Sequence, residues 1–224
     1  MQTEQLSHIA LFEDISKDDL PSLLTCLGAR ILTAKKGEVI LREGEKAQDI
    51  GVLLSGKVNL IRTDYYGNQS ILMNLSQGQL FAESFACAMA ETLPVTVAAI
   101  EDCEYMLIDC MRLMTSCTNA CGFHSRIIFN LLKIVARKNI SLYRKNMLTA
   151  KRTTREKLLS YLMLRAENSK SNIFTIPFDR QGLADYLNVD RSGLSAELGK
   201  LKKEGVLDFH KNSFRLLNSA KDPS

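Results

Sequence analysis

The chain has 224 residues, 46% hydrophobic and 24% charged, and its net charge of +4 is sorted: residues 1–123 carry 9 Lys+Arg against 16 Asp+Glu, residues 124–224 carry 20 against 9. That length allows one large or two ordinary domains, and no apolar run reaches the length of a membrane span. The start, MQTEQLSHIALFEDI, lacks the basic beginning and apolar centre of a signal peptide, so a cytoplasmic chain is expected, with its six cysteines as thiols and only its basic back half meeting a polyanion.

Residues 1–28 read as a short amphipathic start. Leu11 and Phe12 precede a cap at Ser16-Lys17-Asp18-Asp19; Leu20, Leu23, Leu24 and Leu27 follow at helical spacing, and Gly28 closes the helix. From 29 to 110 the period changes. Short apolar runs at Ala29–Leu32, Val39–Leu41, Ile50–Leu54, Val58–Ile61, Ser70–Leu75, Val95–Ile100 and Tyr105–Ile108 are separated by glycine-bearing turns, Gly67-Asn68 among them. Short strands punctuated this regularly predict an antiparallel sandwich or barrel.

Residues 111–123 form a short helical and loop passage. Cys117 and Cys121 share a CxxxC spacing with His124 three residues on, a possible metal or redox face; small buried hydrophobes are the plainer reading. Residues 124–149 read as one long helix without Pro or Gly. Ile128, Leu131 or Leu132, Val135, Lys138 or Asn139, Leu142 and Asn146 follow a heptad widened by Ile127 and Ile134, a seam suited to the same helix of a second subunit or to its own β-domain. Arg126, Lys133, Arg137, Lys138, Arg144 and Lys145 lie on it without one acid, so water or an anion is expected beside them.

A second domain is expected from about residue 150. Thr153 or Thr154 caps a helix with Leu158, Leu159, Leu162 and Met163 apolar; a loop at 168–173 and a short strand at Phe174–Phe178 follow. Residues 178–207 then read as helix, tight turn and helix. Asp179 caps the first helix, Leu183 and Leu187 are its apolar edge, and Asn188 ends it in left-handed backbone. Asp190 caps the second, with Leu194, Leu198 and Leu201 as a core stripe. Its other face shows Arg191, Ser192, Ser195, Ala196 and Gly199, small residues led by one arginine. A helix entering a DNA major groove needs such short side chains, with an Arg near its N-terminus for guanine O6 and N7. Lys200, Lys202 and Lys203 follow, Gly205 stops the helix, and Phe209 with Phe214–Leu217 fits a hairpin wing around Lys211–Asn212.

This order, with Lys36-Gly37-Glu38, Glu43-Gly44-Glu45, Val52–Gly56 with Val58, Gly78-Gln79-Leu80-Phe81-Ala82-Glu83, Arg180-Gln181 and Val189-Asp190-Arg191-Ser192, resembles the catabolite-activator/FNR (CRP/FNR) superfamily of bacterial transcription regulators over nearly the whole chain. The resemblance implies an α+β chain: an N-terminal antiparallel β-roll like a cyclic-nucleotide-binding domain over 1–149, ending in a long dimerisation helix at 124–149, and a C-terminal winged helix-turn-helix over 150–224. It implies a homodimer that reads a palindromic operator in double-stranded DNA, is not an enzyme, and partners RNA polymerase if it activates. Arg191 matches the first groove-facing Arg of relatives, while Ser192 stands where many have Glu and Ala196 where they have a second Arg. A different half-site is therefore expected, read by Arg191, Ser192 and Ser195. Thr153, Arg180, Gln181 and Asp190 fall at or beside phosphate-holding positions, Asp190 through its backbone N–H, and Lys200 completes the set.

Relatives that bind cyclic nucleotides carry Gly-Glu in the pocket and an Arg-Ser or Arg-Ala pair further on. Glu83 matches the ribose-binding Glu, but Ala82 replaces Gly and the Arg site reads Leu93-Pro94-Val95. A buried cyclic phosphate would forfeit its charge-assisted pair, so an effector other than cyclic AMP is expected. Its pocket would be lined by Phe81, Glu83, Phe85 and Leu93 with Lys133, Ile134 and Arg137, and Tyr65 or Tyr66 beside them; plain core is the alternative for Phe81, Phe85 and Leu93. No metal or cofactor is identified. Cys26 is the one cysteine near the N-terminus, against the cluster that iron–sulfur relatives need, and His8, His124 and His210 are too scattered for a cupin-like enzyme. A cyclic-nucleotide-dependent regulator stays open, as does a thiol switch through Cys103, Cys110, Cys117 and Cys121.

Overall fold

The structure, a computed structural model, describes residues 3–115 and 122–217. Its internal packing divides the chain into two units, Met1–Arg137 and Lys138–Ser224.

The N-terminal unit opens with α1 (Thr3–Ser7), a 3-10 turn at Ala10–Phe12 and α2 (Leu20–Cys26). Eight strands follow: β1 (Arg30–Ala34), β2 (Val39–Leu41), β3 (Asp49–Ser55), β4 (Lys57–Thr63), β5 (Gln69–Ser76), β6 (Leu80–Phe81), β7 (Thr96–Ala99) and β8 (Cys103–Asp109). They form two antiparallel sheets, β1-β8-β3-β6 and β2-β7-β4-β5, which is the expected roll. Each apolar run of the sequence is a strand here. The pair Leu80–Phe81 adds β6, too short to show a period, and the short helices α3 (Glu83–Cys87) and α4 (Cys110–Met114) fill passages that carried no helical repeat.

Alternation along β3 separates two cores. Ile50, Val52 and Leu54 belong to a core under the helices, with Leu11, Leu20, Leu113 and Ile127. Leu53 belongs to the core between the sheets, with Val58, Leu75, Phe81 and Val97. Covered on both faces, β3 reads as an unbroken apolar run. Gly51 has no side chain because there is no space for one: a Cβ would lie 2.0 Å from a ring carbon of Phe81, its partner on β6.

The long helix α5 (Gly122–Thr149) is continuous. Ile127 and Leu131 are buried in the helix-covered core, and Ile128, Ile134 and Val135 pack against it. Phe129, Leu132, Ile140, Leu142, Tyr143 and Met147 are exposed. One face thus packs on its own β-domain, with Leu142 continuing that side beyond it, and a second apolar face of Phe129, Leu132, Ile140, Tyr143 and Met147 stays open in the single chain. The anion or water expected beside the helix cations is corrected at two of them. Arg126 meets Asp14 at 3.5 Å and Lys133 meets Glu13 at 2.7 Å, so carboxylates of the N-terminal turn take these charges. The hydrogen bond and charge of Lys133 hold the Glu13 carboxyl below the usual range. Asn130 stitches the same turn, its Nδ2 donating to the carbonyls of Leu11 at 3.1 Å and Glu13 at 2.7 Å.

The C-terminal unit contains α6 (Thr154–Ser169), β9 (Ile173–Thr175), α7 (Arg180–Leu187), α8 (Arg191–Lys203), β10 (Leu207–His210) and β11 (Ser213–Leu216), with the strands ordered β10-β11-β9. Leu158, Leu162, Leu183, Leu187, Leu194, Leu198 and Leu201 form its core with Phe174 and Phe214, joined by Leu148 at the end of α5. Of the two candidate caps of α6, Thr153 takes the role: its Oγ1 accepts from the Glu156 N–H while the Glu156 side chain accepts from the Thr153 N–H, both at 3.1 Å.

Candidate nucleic-acid interface

Local hydrogen bonds build the helix-turn-helix. Asp179 Oδ1 accepts from the Gly182 N–H at 2.7 Å and starts α7. Asn188 ends it in left-handed backbone, φ 51° and ψ 60°, with its N–H on the carbonyls of Ala184 and Asp185. Val189 turns inward against the core. Asp190 starts α8, its carboxylate accepting from the Gly193 N–H at 2.8 Å and from the Ser192 hydroxyl. The Ser192 bond first, then the Gly193 bond, hold that carboxyl below the usual aspartate range.

Leu194, Leu198 and Leu201 are fully buried, which fixes the rotation of α8 about its axis. Arg191, Ser192, Gly193, Ser195, Ala196 and Lys200 are then all exposed. The hydroxyls of the two serines are tied to the first turn, Ser192 to Asp190 and Ser195 to the Arg191 carbonyl at 3.0 Å. Lys200 reaches Glu197 at 3.8 Å. Arg155 of α6 bonds Glu197 at 3.2 Å and Glu204 at 3.0 Å, clamping α6 to the far end of α8.

Arg180, Gln181 and Arg191 line one cleft of about 690 Å³ with Pro177, Phe178, Asp179 and the wing turn Lys211–Asn212. Three cations and a single carboxylate, itself engaged as a cap, make this cleft a seat for an anion. Arg180 does more than its position in the sequence suggested. Its guanidinium lies 4.7 Å from the Phe209 ring centre and 5.5 Å from that of Phe214, and this burial lowers its pKa. The arginine therefore joins α7 to the wing. Asn212 fastens the wing turn to the end of β9, its carbonyl accepting from the Ile176 N–H at 2.9 Å and its Nδ2 donating to the Ile176 carbonyl at 3.1 Å. Gln181 is bound to Asp185 within α7, at 2.8 Å, and the Thr153 hydroxyl is engaged as the α6 cap. Lys211 and Asn212 line this cleft beyond the residues expected from the sequence, where the basic tip of the hairpin is their signal.

Of the seven residues expected around an effector, four divide between the two cores. Phe81, Leu93 and the half-buried Phe85 belong to the core between the sheets. Ile134 packs on the helix-covered core, Lys133 is paired with Glu13, and Arg137 is exposed. Glu83, 3% exposed, opens α3 and accepts from the Ser84 hydroxyl at 3.2 Å. Ala82 just before it has φ 60°, the left-handed conformation glycine adopts freely and alanine does not. Tyr65 and Tyr66 are 97% and 86% exposed.

Cys117 and Cys121 lie outside the described residues. His124 is buried with a ring nitrogen 2.9 Å from the Leu113 carbonyl; since a carbonyl only accepts, Nε2 carries the proton. Among the described residues no group of three His, Cys, Asp or Glu is placed to hold a metal ion, and no helix is long and apolar enough to cross a membrane.

The cyclic nucleotide-binding domain family matches residues 31–115, and the Crp-like helix-turn-helix domain family matches residues 156–221. No curated protein matches the chain. Among solved structures, the c-di-GMP responsive global regulator CLP of Xanthomonas campestris is 17% identical with a TM-score of 0.58, over 91% of this chain and 100% of that one. A Ruegeria pomeroyi protein named for cyclic nucleotide binding is 22% identical with a TM-score of 0.50, over 97% of this chain and 95% of its own. At these identities the likeness is one of fold: roll, long helix and helix-turn-helix in the same order.

Proposed function

Because the chain belongs to the CRP/FNR superfamily of DNA-binding transcription regulators, we propose that it acts in the cytoplasm as a homodimer on a palindromic operator, under the control of a small-molecule effector other than cyclic AMP. The exposed polar face of α8 carries this reading, with Arg191 at the helix start and a fully buried leucine stripe behind it. Arg191 reaches guanine O6 and N7, while Ser192 and Ser195, whose hydroxyls keep lone pairs free, accept from or pack on neighbouring bases. Arg180, Gln181, Thr153, Lys200 and the Asp190 N–H meet phosphates, joined by Lys211 of the wing.

The open apolar face of α5, Leu132, Ile140, Tyr143 and Met147, pairs with its copy in the second subunit and spaces the two reading heads. The effector unit is taken as 1–149 and the reading unit as 150–224. Glu83 supplies a buried carboxylate to an effector, and the apolar, buried Leu93 supplies no partner for a cyclic phosphate. Where the bound dimer activates transcription, RNA polymerase is the partner.

Mobility-shift titration on a selected operator and on random DNA tests the reading. Arg191→Ala is expected to weaken operator binding by about 1–3 kcal/mol and to relax one base position. Equal losses on both DNAs would overturn base reading by this residue. Calorimetry with cyclic AMP, cyclic GMP and c-di-GMP tests the effector; tight binding of cyclic AMP would overturn that half.

A further inference from the structure

We propose that Cys87 and Cys110 form a reversible disulfide that tethers α3 to α4 and so makes the segment bearing Glu83 responsive to hydroperoxides. The two sulfurs lie 3.8 Å apart, with the Cys110 thiol donating to Cys87 Sγ. Cys87 is half-buried at the end of α3, and Cys110 is 3% exposed at the start of α4. A disulfide needs about 2.05 Å between sulfurs, so closure asks for a movement of about 2 Å.

One element is suited to make that movement. α3 has five residues and lies between two non-glycine residues in left-handed backbone, Ala82 at φ 60° and Met89 at φ 49°. Its first residue is Glu83 and its last is Cys87, so a pull at one end is felt at the other. Cys110 is the less yielding partner: it follows β8 directly, and its N–H bonds the Gln48 carbonyl at 3.0 Å.

The two sulfurs have distinct roles. The more accessible Cys87 attacks the hydroperoxide; its S–O bond forms, the O–O bond breaks, and the released alkoxide takes a proton to leave as the alcohol. The Cys110 sulfur then attacks the Cys87 sulfur; the S–S bond forms, the S–O bond breaks, and the oxygen leaves as water with the Cys110 proton. Two thiols and one hydroperoxide thus give one disulfide, one alcohol and one water. Burial raises both thiol pKa values, that of Cys110 to about 12; Glu83 adds to the rise at Cys87, and Cys87 and then Asp109 add to it at Cys110, so both sulfurs rest as thiols. The thiol switch expected from sequence grouped Cys103 and Cys110 with Cys117 and Cys121, the last two outside the described residues. Cys103 lies instead in the core between the sheets, apart from the helix-covered core that holds Cys110.

The full-length protein is oxidised with hydrogen peroxide, alkylated and mapped by mass spectrometry. The expected result is a peptide linking Cys87 to Cys110, two hydrogens lighter, that dithiothreitol reverses. Cys87→Ser and Cys110→Ala abolish it, while Cys103→Ser leaves it. Hydrogen exchange over 82–89 is expected to slow severalfold in the oxidised protein. Recovery of both residues as alkylated thiols, or links to other cysteines, overturns the disulfide; a correct link with unchanged exchange overturns its coupling to Glu83. An effect on operator affinity rests on the function proposed above. The mass and exchange measurements need no DNA, so a failure of that function is told apart from a failure of the disulfide.

Discussion

Two places where the chain passes through left-handed backbone behave in opposite ways. Asn188 ends α7 at φ 51°, a conformation asparagine tolerates, between side-chain caps at Asp179 and Asp190. Ala82 starts α3 at φ 60° with no side-chain cap at all. The first turn is made by the residues within it. The second is imposed from outside, by Phe81 seated over Gly51 and by the buried Glu83. The turn between α7 and α8 is held by its own local bonds, whereas a segment held by packing can be moved by whatever changes the packing.

The packing around α3 carries the largest expected effect. Gly51→Ala places a methyl group against the Phe81 ring and is expected to destabilise the N-terminal unit by about 3 kcal/mol, measured by urea unfolding. A loss under about 1 kcal/mol would mean that the ring moves aside freely and that packing does not hold the segment. Removing a local cap should cost less: Thr153→Ala breaks the capping box of α6 and lowers stability by about 1 kcal/mol in a thermal scan of the C-terminal unit. No change there would indicate that tertiary contacts, not caps, support the reading head.

Glycine at the two left-handed positions sharpens the contrast further. Ala82→Gly should stabilise by about 0.5–1 kcal/mol, since alanine bears the steric cost of that conformation, and Asn188→Gly should gain less. Equal gains would erase the difference. The smallest effect is one of pH. The Asp190 carboxyl, lowered by Ser192 and Gly193, adds stability that is present above the ordinary aspartate range and lost as pH falls through its lower folded value. Helix signal followed on acidification should therefore decline earlier in wild type than in Asp190→Asn, relative to each protein's neutral value.

The parts whose physics is local are legible in the amino-acid sequence alone. Caps at Asp179 and Asp190, the Asn188 turn, the leucine stripe of α8 and the glycine-punctuated strands each depend on residues within a few positions of one another, and the structure has them where the spacing put them. What depends on distant residues meeting is visible only in the folded chain. Arg180 rests on Phe209 and Phe214, Glu13 neutralises Lys133, and Cys87 faces Cys110. Of the residues expected around an effector, Phe81, Phe85 and Leu93 fall in one core and Ile134 in the other, because β3 is buried on both faces and each face collects its own partners. A one-dimensional pattern records which face of an element is apolar; which distant side chain covers that face is decided when the chain closes on itself.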